Sequence, residues 1–194
     1  HLHSGINFYK VGITAHNLGV ARILAQQGDS ISCFRQAISF KQTAFSNSHP
    51  QVAVSMDELG IQQFAMSNFE DAMNSFEIAH ETRKSANEND PILAMTLNNM
   101  ACCDFSLSRH RSALERLELA RSIQHESIGN DLELLHVAIV YGNCGFLKLM
   151  LKEYEDARAI LEEALLIQQS VLDDDHRAVR DTLSNLEFAN AFHS

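Results

Sequence analysis

Residues 153–165 read Glu153-Tyr154-Glu155-Asp156-Ala157-Arg158-Ala159-Ile160-Leu161-Glu162-Glu163-Ala164-Leu165. Reduced to its apolar skeleton this is Tyr154-x-x-Ala157-x-x-x-Leu161-x-x-Ala164, steps of three and four that place every named residue on one face of a helix. The same skeleton occurs upstream as Phe69-x-x-Ala72-x-x-x-Phe76-x-x-Ala79 and as His110-x-x-Ala113-x-x-x-Leu117-x-x-Ala120, with a degenerate copy in Ser30-x-x-x-Phe34-x-x-Ala37. The small-residue positions Ser30, Ala72, Ala113 and Ala157 are separated by 42, 41 and 44 residues. A drifting period of this length over most of a chain is the mark of stacked supersecondary units.

Each copy is preceded by a second helical pattern. These are Leu18-Gly19, Met56-x-x-Leu59-Gly60, Leu97-x-x-Met100-Ala101 and Tyr141-x-x-Cys144-Gly145. A last half unit, Leu183-x-x-Leu186, follows Asp175-His176. Pro50 and Pro91 each follow a capping-competent stretch, Asn47-Ser48-His49 and Asn89-Asp90, and proline in the first helical turn costs no hydrogen bond. Both therefore mark helix starts. Tight turns are expected at Ser67-Asn68 and Ser108-Arg109. Small residues at the alanine positions let paired helices approach, and Phe34, Phe76, Leu117 and Leu161 are expected to fill the space between neighbouring pairs. No stretch alternates with period two, so the expected class is all-α: a right-handed solenoid of four helix pairs, about residues 6–47, 48–88, 89–130 and 131–174, with a terminal helix over 177–192, in one domain spanning 1–194.

These motifs resemble the tetratricopeptide repeat. The longer period, the string Thr96-Leu97-Asn98-Asn99-Met100-Ala101, and Asp174-Asp175-His176-Arg177-Ala178-Val179 followed by Thr182-Leu183-Ser184-Asn185-Leu186 look like the extended repeats of kinesin light chains. The resemblance covers about residues 13–190. The first unit departs from it, one helix being a residue out of register with the other, and three extra residues fall around Ile128-Gly129-Asn130-Asp131.

The position just before the large residue of each first helix carries Asn17, Glu58, Asn99, Asn143 and Asn185. Asparagine is a poor helix former, so local propensity does not explain four amides in five places. The resemblance implies that this position looks onto a concave groove where amides bond the backbone of an extended peptide. An amide suits that task because it both donates and accepts without demanding a charge. The alternative is that these amides bond across neighbouring helices and set their spacing. Asn98 stands beside Asn99, and Phe64, Phe105 and Phe146 run along the same helices with Ile61, Cys102, Phe188 and Leu149. Such a stripe serves core packing or an apolar groove floor. The Lys/Arg clamp of carboxylate-gripping, chaperone-binding repeats is missing from the matching positions, which argues against a chaperone-tail receptor.

Composition agrees with a binding role. Lys plus Arg is 15 against 25 acids, a net charge of −10, which suits neither a phosphate-gripping face nor nucleic acid. Residues 1–48 carry +3 and the rest −13, an asymmetry suited to an acidic neighbour at one end and to solvent or a basic partner along the long acidic flank. The longest apolar runs, such as Val137 to Tyr141, exclude membrane insertion. Cys33, Cys102, Cys103 and Cys144 have neither metal nor disulfide spacing and read as core residues of an intracellular, cytoplasmic protein. His1-x-His3 and Asp173-Asp174-Asp175-His176 read as a chain end and a helix-capping loop rather than metal sites, and no phosphate loop, HExxH or GxSxG is present, so neither catalysis nor a cofactor is expected. The expected function is a non-enzymatic scaffold or adaptor for a peptide or protein partner. The alternatives are a subunit docked permanently in a larger assembly, signalled by exposed apolar residues such as Ile128 or Leu172, and a regulatory module of a longer protein.

Overall fold

The structure, a computed structural model, describes residues 2–45, 47, 49–88, 90–124 and 131–192, with the side chains of 2–6 and 131–133 excepted. His1, His3, Ser48, Asn89, His125, the Ile128–Asp131 insertion and His193 therefore lie, wholly or in their side chains, outside the described residues. Among the described residues there are nine helices and no strand: α1 (Leu2–Leu24), α2 (Ser30–Ala44), α3 (Pro50–Ala65), α4 (Phe69–Ala86), α5 (Ile92–Ser106), α6 (His110–Gln124), α7 (Asp131–Met150), α8 (Tyr154–Val171) and α9 (Arg177–Ala191). They group into two compact units, His1–Cys103 and Asp104–Ser194. In the first, α1 packs on α2, α2 on α3 and α3 on α4; in the second, α6 packs on α7, α7 on α8, and α9 on both α8 and α7.

The helix starts follow local chemistry. His49 caps α3, its Nδ1 accepting from the Gln51 backbone N–H at 3.2 Å, with Pro50 as the first helical residue. His176 caps α9 in the same way, accepting from Ala178 at 3.2 Å. The loop acids Asp173–Asp175 were expected to provide that cap and do not, because the histidine sits at the register the cap requires. Asp90 caps α5 through Ile92 N–H at 3.0 Å, the same two-residue reach as His49, so Pro91 stands between cap and Ile92 at the start of that helix.

The four turns within pairs are copies of one another. Gln26, Ser67, Ser108 and Lys152 each adopt a left-handed backbone, with φ of 52°, 62°, 61° and 65°. The residue after each donates its N–H five residues back, at 2.8–2.9 Å: Gln27 to Arg22, Asn68 to Gln63, Arg109 to Asp104 and Glu153 to Lys148. This is the Schellman closure, which satisfies the last carbonyls of a helix. Glycine usually takes the left-handed place; here side chains with a Cβ are held in it by the bond that follows.

Core packing follows the small and large positions. Ala72, Ala113 and Ala157, and Ala37, Ala79, Ala120 and Ala164 seven residues beyond the small-residue sites, have no exposed surface, and Phe34, Phe76, Leu117 and Leu161 are buried. The large residues do more than fill the space between pairs. Phe34 packs across to Val52 and Leu59 of α3, as expected, and Leu161 reaches Leu186 and Ala189 of α9. They also close their own pair against glycine. A Cβ placed on Gly19, Gly60 or Gly145 would stand 2.8 Å from Phe34, 2.6 Å from Phe76 and 2.5 Å from Leu161. The bare backbone of the first helix is the seat of the bulky side chain from the second.

Two columns of polar residues run through this packing. One stands at the end of the first helix of each pair: Arg22, Gln63, Asp104 and Lys148. Each ties that helix to the turn or helix that follows. Arg22 donates to the Asp29 carbonyl at 3.1 Å, and Gln63 accepts from Ser75 at 2.6 Å. Asp104 accepts from Arg116 at 2.8 Å, and Lys148 donates to Glu153 at 2.9 Å and Asp156 at 3.3 Å. Burial alone would lower the pKa of Lys148, but its hydrogen bonds to Glu153 and Asp156 carry it above the usual lysine range.

The second column lies near the end of each second helix: Lys41, Arg83, Gln124 and Gln168, at intervals of 42, 41 and 44 and buried without exception. Lys41 donates to Ser55 Oγ at 2.8 Å and to the Gln51 carbonyl at 3.1 Å, and His16 Nδ1 lies 3.1 Å from the same Ser55 hydroxyl. Desolvation, and for His16 also the Lys41 charge, lowers the pKa of both bases. Arg83 pairs with Asp57, to which Thr96 also donates at 3.4 Å. Burial pushes the Asp57 carboxyl up to about 6, outweighing the opposite pull of Arg83.

Candidate functional site

The residues singled out for partner binding all lie on the first helices of pairs or on α9. In the first unit Asn17 is exposed on α1, Glu58 is half-buried on α3, and Asn99 is half-buried on α5. Burial raises the Glu58 carboxyl pKa above its ordinary value. Asn98 is 4% exposed and already engaged by another group, so its amide faces inward. Phe64 is half-buried and packs on Phe69 of its own pair, ring centres 5.2 Å apart.

The second unit gathers its residues. Asn143 of α7 and Asn185 of α9, equivalent positions 42 residues apart, line one cavity of about 440 Å3 together with Phe146, Gly142, Gln168 and Thr182. The packing of α9 directly on α7 places these two helices side by side as its walls, and Gln168 enters from the end of α8. Phe146 is 37% exposed and meets Phe105 edge-on at 5.8 Å, while Phe105 also packs on His110 at 5.2 Å. Phe105 therefore supports Phe146 from behind. Asn143 also takes part in an interaction of its own. The rim acid Asp181 is paired with Arg177 at 3.4 Å.

The lining mixes neutral amides and hydroxyls with the apolar Ile139, Phe146 and Ala178 on both helices. Such a lining offers a ligand hydrogen bonds and packing. Sequence reasoning reached Asn143, Asn185 and Phe146 through the repeat. It missed Gly142, Gln168 and Thr182. The signal for Gln168 was present in the 42-, 41- and 44-residue spacing of the buried polar column, but polar positions of second helices read as solvent-facing when taken singly.

Residues 137–178, which hold most of this cavity's α7 and α8 walls, match the model of the tetratricopeptide repeat. That segment is a tetratricopeptide repeat, and the fold of the chain is similar to that of kinesin light chain repeats. The structure of the Podosopora anserina putative kinesin light chain, with nearly identical TPR-like repeats, shares 16% identity at a TM-score of 0.72 over 92% of this chain and 84% of that one. BtubC (BKLC) from P. vanneervenii shares 18% identity at a TM-score of 0.61, over 97% and 86% of the two chains. The apo form of RapI shares 15% at 0.72, over all of this chain and 49% of that one. No curated protein matches the sequence significantly. Likeness at these identities shows the fold, an all-α tetratricopeptide solenoid class, and that fold suggests a protein–protein interaction scaffold. Among the described residues, no helix is long and apolar enough to cross a membrane.

Proposed function

We propose that this tetratricopeptide chain is a non-enzymatic adaptor that holds an extended peptide segment of a partner protein along the face marked by the asparagine register. In the second unit the contacts are Asn143, Asn185 and Phe146, beside Phe105; in the first unit, taken by itself, they are Asn17, Glu58, Asn99 and Phe64. The observation that carries the reading is the convergence of two register-equivalent amides and a partly exposed aromatic ring on one cavity. An amide both donates and accepts, which suits recognition of a peptide backbone.

The test starts from a random peptide library selected on the chain, with the affinity of the winning peptide read by fluorescence anisotropy. Asn143→Ala with Asn185→Ala removes two hydrogen-bonding groups and should weaken binding by about 1–3 kcal/mol, roughly 5- to 150-fold, with helicity unchanged. Equal affinity at normal helicity removes the groove from the account. A second reading, a permanently docked subunit of a larger assembly, is supported by Leu119 and Leu166 on second helices, 50% and 71% exposed. In that case Leu119→Lys with Leu166→Lys, and not the asparagine variant, would release the chain from its assembly in a co-purification.

A further inference from the structure

The buried polar column is completed differently along the chain. Where α1, α2 and α3 meet, Lys41 faces His16 and Ser55; where α3, α4 and α5 meet, Arg83 faces Asp57 and Thr96. Each cluster has one member from the position three before the glycine of the first helix, and one hydroxyl from the next first helix. The corresponding residues around Gln168 are Gly142 and Thr182. Gly142 has no side chain, so the cluster lacks a member there. Gln168 is 5% exposed; its Oε1, like that of Gln124, is shut from solvent with no hydrogen-bond partner among the described residues, and its Nε2 is the atom nearest Gly142. A buried carbonyl left unbonded is costly, and native proteins leave few such groups without a reason.

The vacancy is real space. A Cβ on Gly142 would meet only the Gln168 amide nitrogen, at 3.9 Å, in contrast to the 2.5 Å collision at Gly145 one turn along the same helix. The missing side chain opens onto the cavity of about 440 Å3, whereas a water molecule occupies about 30 Å3 in the liquid. One water does not fill it. The lining supplies Asn143, Asn185, Thr182 and Ser184, all neutral, and the one carboxylate is the paired Asp181 on the rim. An anion would enter beside that acid without a cation to meet it. An ammonium would exchange its hydration for neutral dipoles. A primary carboxamide offers two donors and an acceptor, and it matches another carboxamide whichever way either amide is turned.

Resting on the peptide-groove reading, we infer that the space left by Gly142 is a specificity pocket for a carboxamide side chain, Gln or Asn, of the partner, which hydrogen-bonds the Gln168 carboxamide there and takes the place that His16 and Asp57 fill in the clusters of Lys41 and Arg83. The burial of Gln168, 5% exposed, favours a side chain over peptide backbone.

The probe is N-acetyl-L-glutamine methylamide, titrated into the 15N-labelled chain, with the glutamate and methionine analogues as controls. Saturable shifts should appear in the Gln168 side-chain amide and around residues 138–146 and 178–185, in the millimolar range expected of so small a ligand, with both controls at least tenfold weaker. Gly142→Asn restores the cluster and should abolish probe binding while raising the melting temperature; Gly142→Ser, which copies the residue at the register of Ser184, does the same should the larger side chain fail to fold. Absence of saturable shifts, equal response to the controls, or unchanged probe binding in the variants overturns the inference. If the library-selected peptide still depends on Asn143 and Asn185 while the probe does not bind, the groove stands and the carboxamide pocket falls. If the probe binds while the selected peptide ignores both asparagines, the groove falls, and the pocket loses its assignment to a partner side chain.

Discussion

Two glycines three residues apart on α7 allow one substitution to be run in two environments. Gly142→Ala adds a methyl group into open space, its nearest neighbour 3.9 Å away. The added group also removes the backbone freedom of glycine in the unfolded chain, so the variant should be more stable by about 0.5–1 kcal/mol. Gly145→Ala gains the same propensity but drives its Cβ to 2.5 Å from Leu161 Cγ and 2.7 Å from its Cδ2. Leu161 has no exposed surface and packs at the same time on Leu186 and Ala189, so the ångström or so of retreat it needs is not free on any side. Overpacking of this kind costs about 1–3 kcal/mol, and the recovered propensity offsets less than 1 of it. The expected outcome is a net loss of about 0.5–2 kcal/mol. For a chain of this length each kcal/mol moves the melting point by about 2–4 °C, so the two variants should separate on opposite sides of the parent. Helix content at 222 nm followed through heat and urea unfolding measures both. The same sign for the two, or a Gly145→Ala protein melting at or above the parent, would refute the glycine-seat account of how pairs close.

Three further outcomes are expected. Asp57 holds its proton up to about pH 6 when folded, against an ordinary 3.8, so folding takes up a proton between those values. The parent should therefore gain stability over Asp57→Asn as pH falls from 7 to 4, by up to about 2–3 kcal/mol, and a flat difference profile in urea melts counts against the burial of that carboxylate. Ser108, left-handed at φ 61°, should accept glycine with a gain of about 0.5–1 kcal/mol in chemical denaturation, and a loss would show that the serine side chain anchors the turn. Ala113, which has no exposed surface, should lose about 1–3 kcal/mol on conversion to Phe, whereas a melting curve equal to the parent would contradict the repeat register.

Much of this architecture was legible because burial and helical period write themselves into residue size. Ala72, Ala113 and Ala157 mark the close approaches, and Ser67-Asn68 and Ser108-Arg109 mark the turns, since a helix stopping at a fixed place needs the same closure each time. The turn at Lys152 and the cap by His176 were less visible, because neither lysine in a left-handed backbone nor histidine at a cap is the residue expected there; the surrounding hydrogen bonds select the conformation over the residue's own preference. Likewise Phe64 and Phe105 were legible as a stripe, but nothing local distinguished a ring packed on Phe69 or His110 from one left exposed like Phe146.

Alone, the order of residues determined that the chain is helical, that its helices come in pairs at an interval near 42, and which amides share a register, because each of these depends on spacing along one or two adjacent helices. It did not determine that Gly145 is a packing seat while Gly142 is a vacancy. Both are glycines on one helix, and the difference lies in what stands opposite: Leu161 against one, the Gln168 amide against the other. Those neighbours arrive from another helix some 16 to 26 residues later, and only the folded packing of α7, α8 and α9 fixes the ångströms that turn one missing side chain into a contact and the other into a cavity.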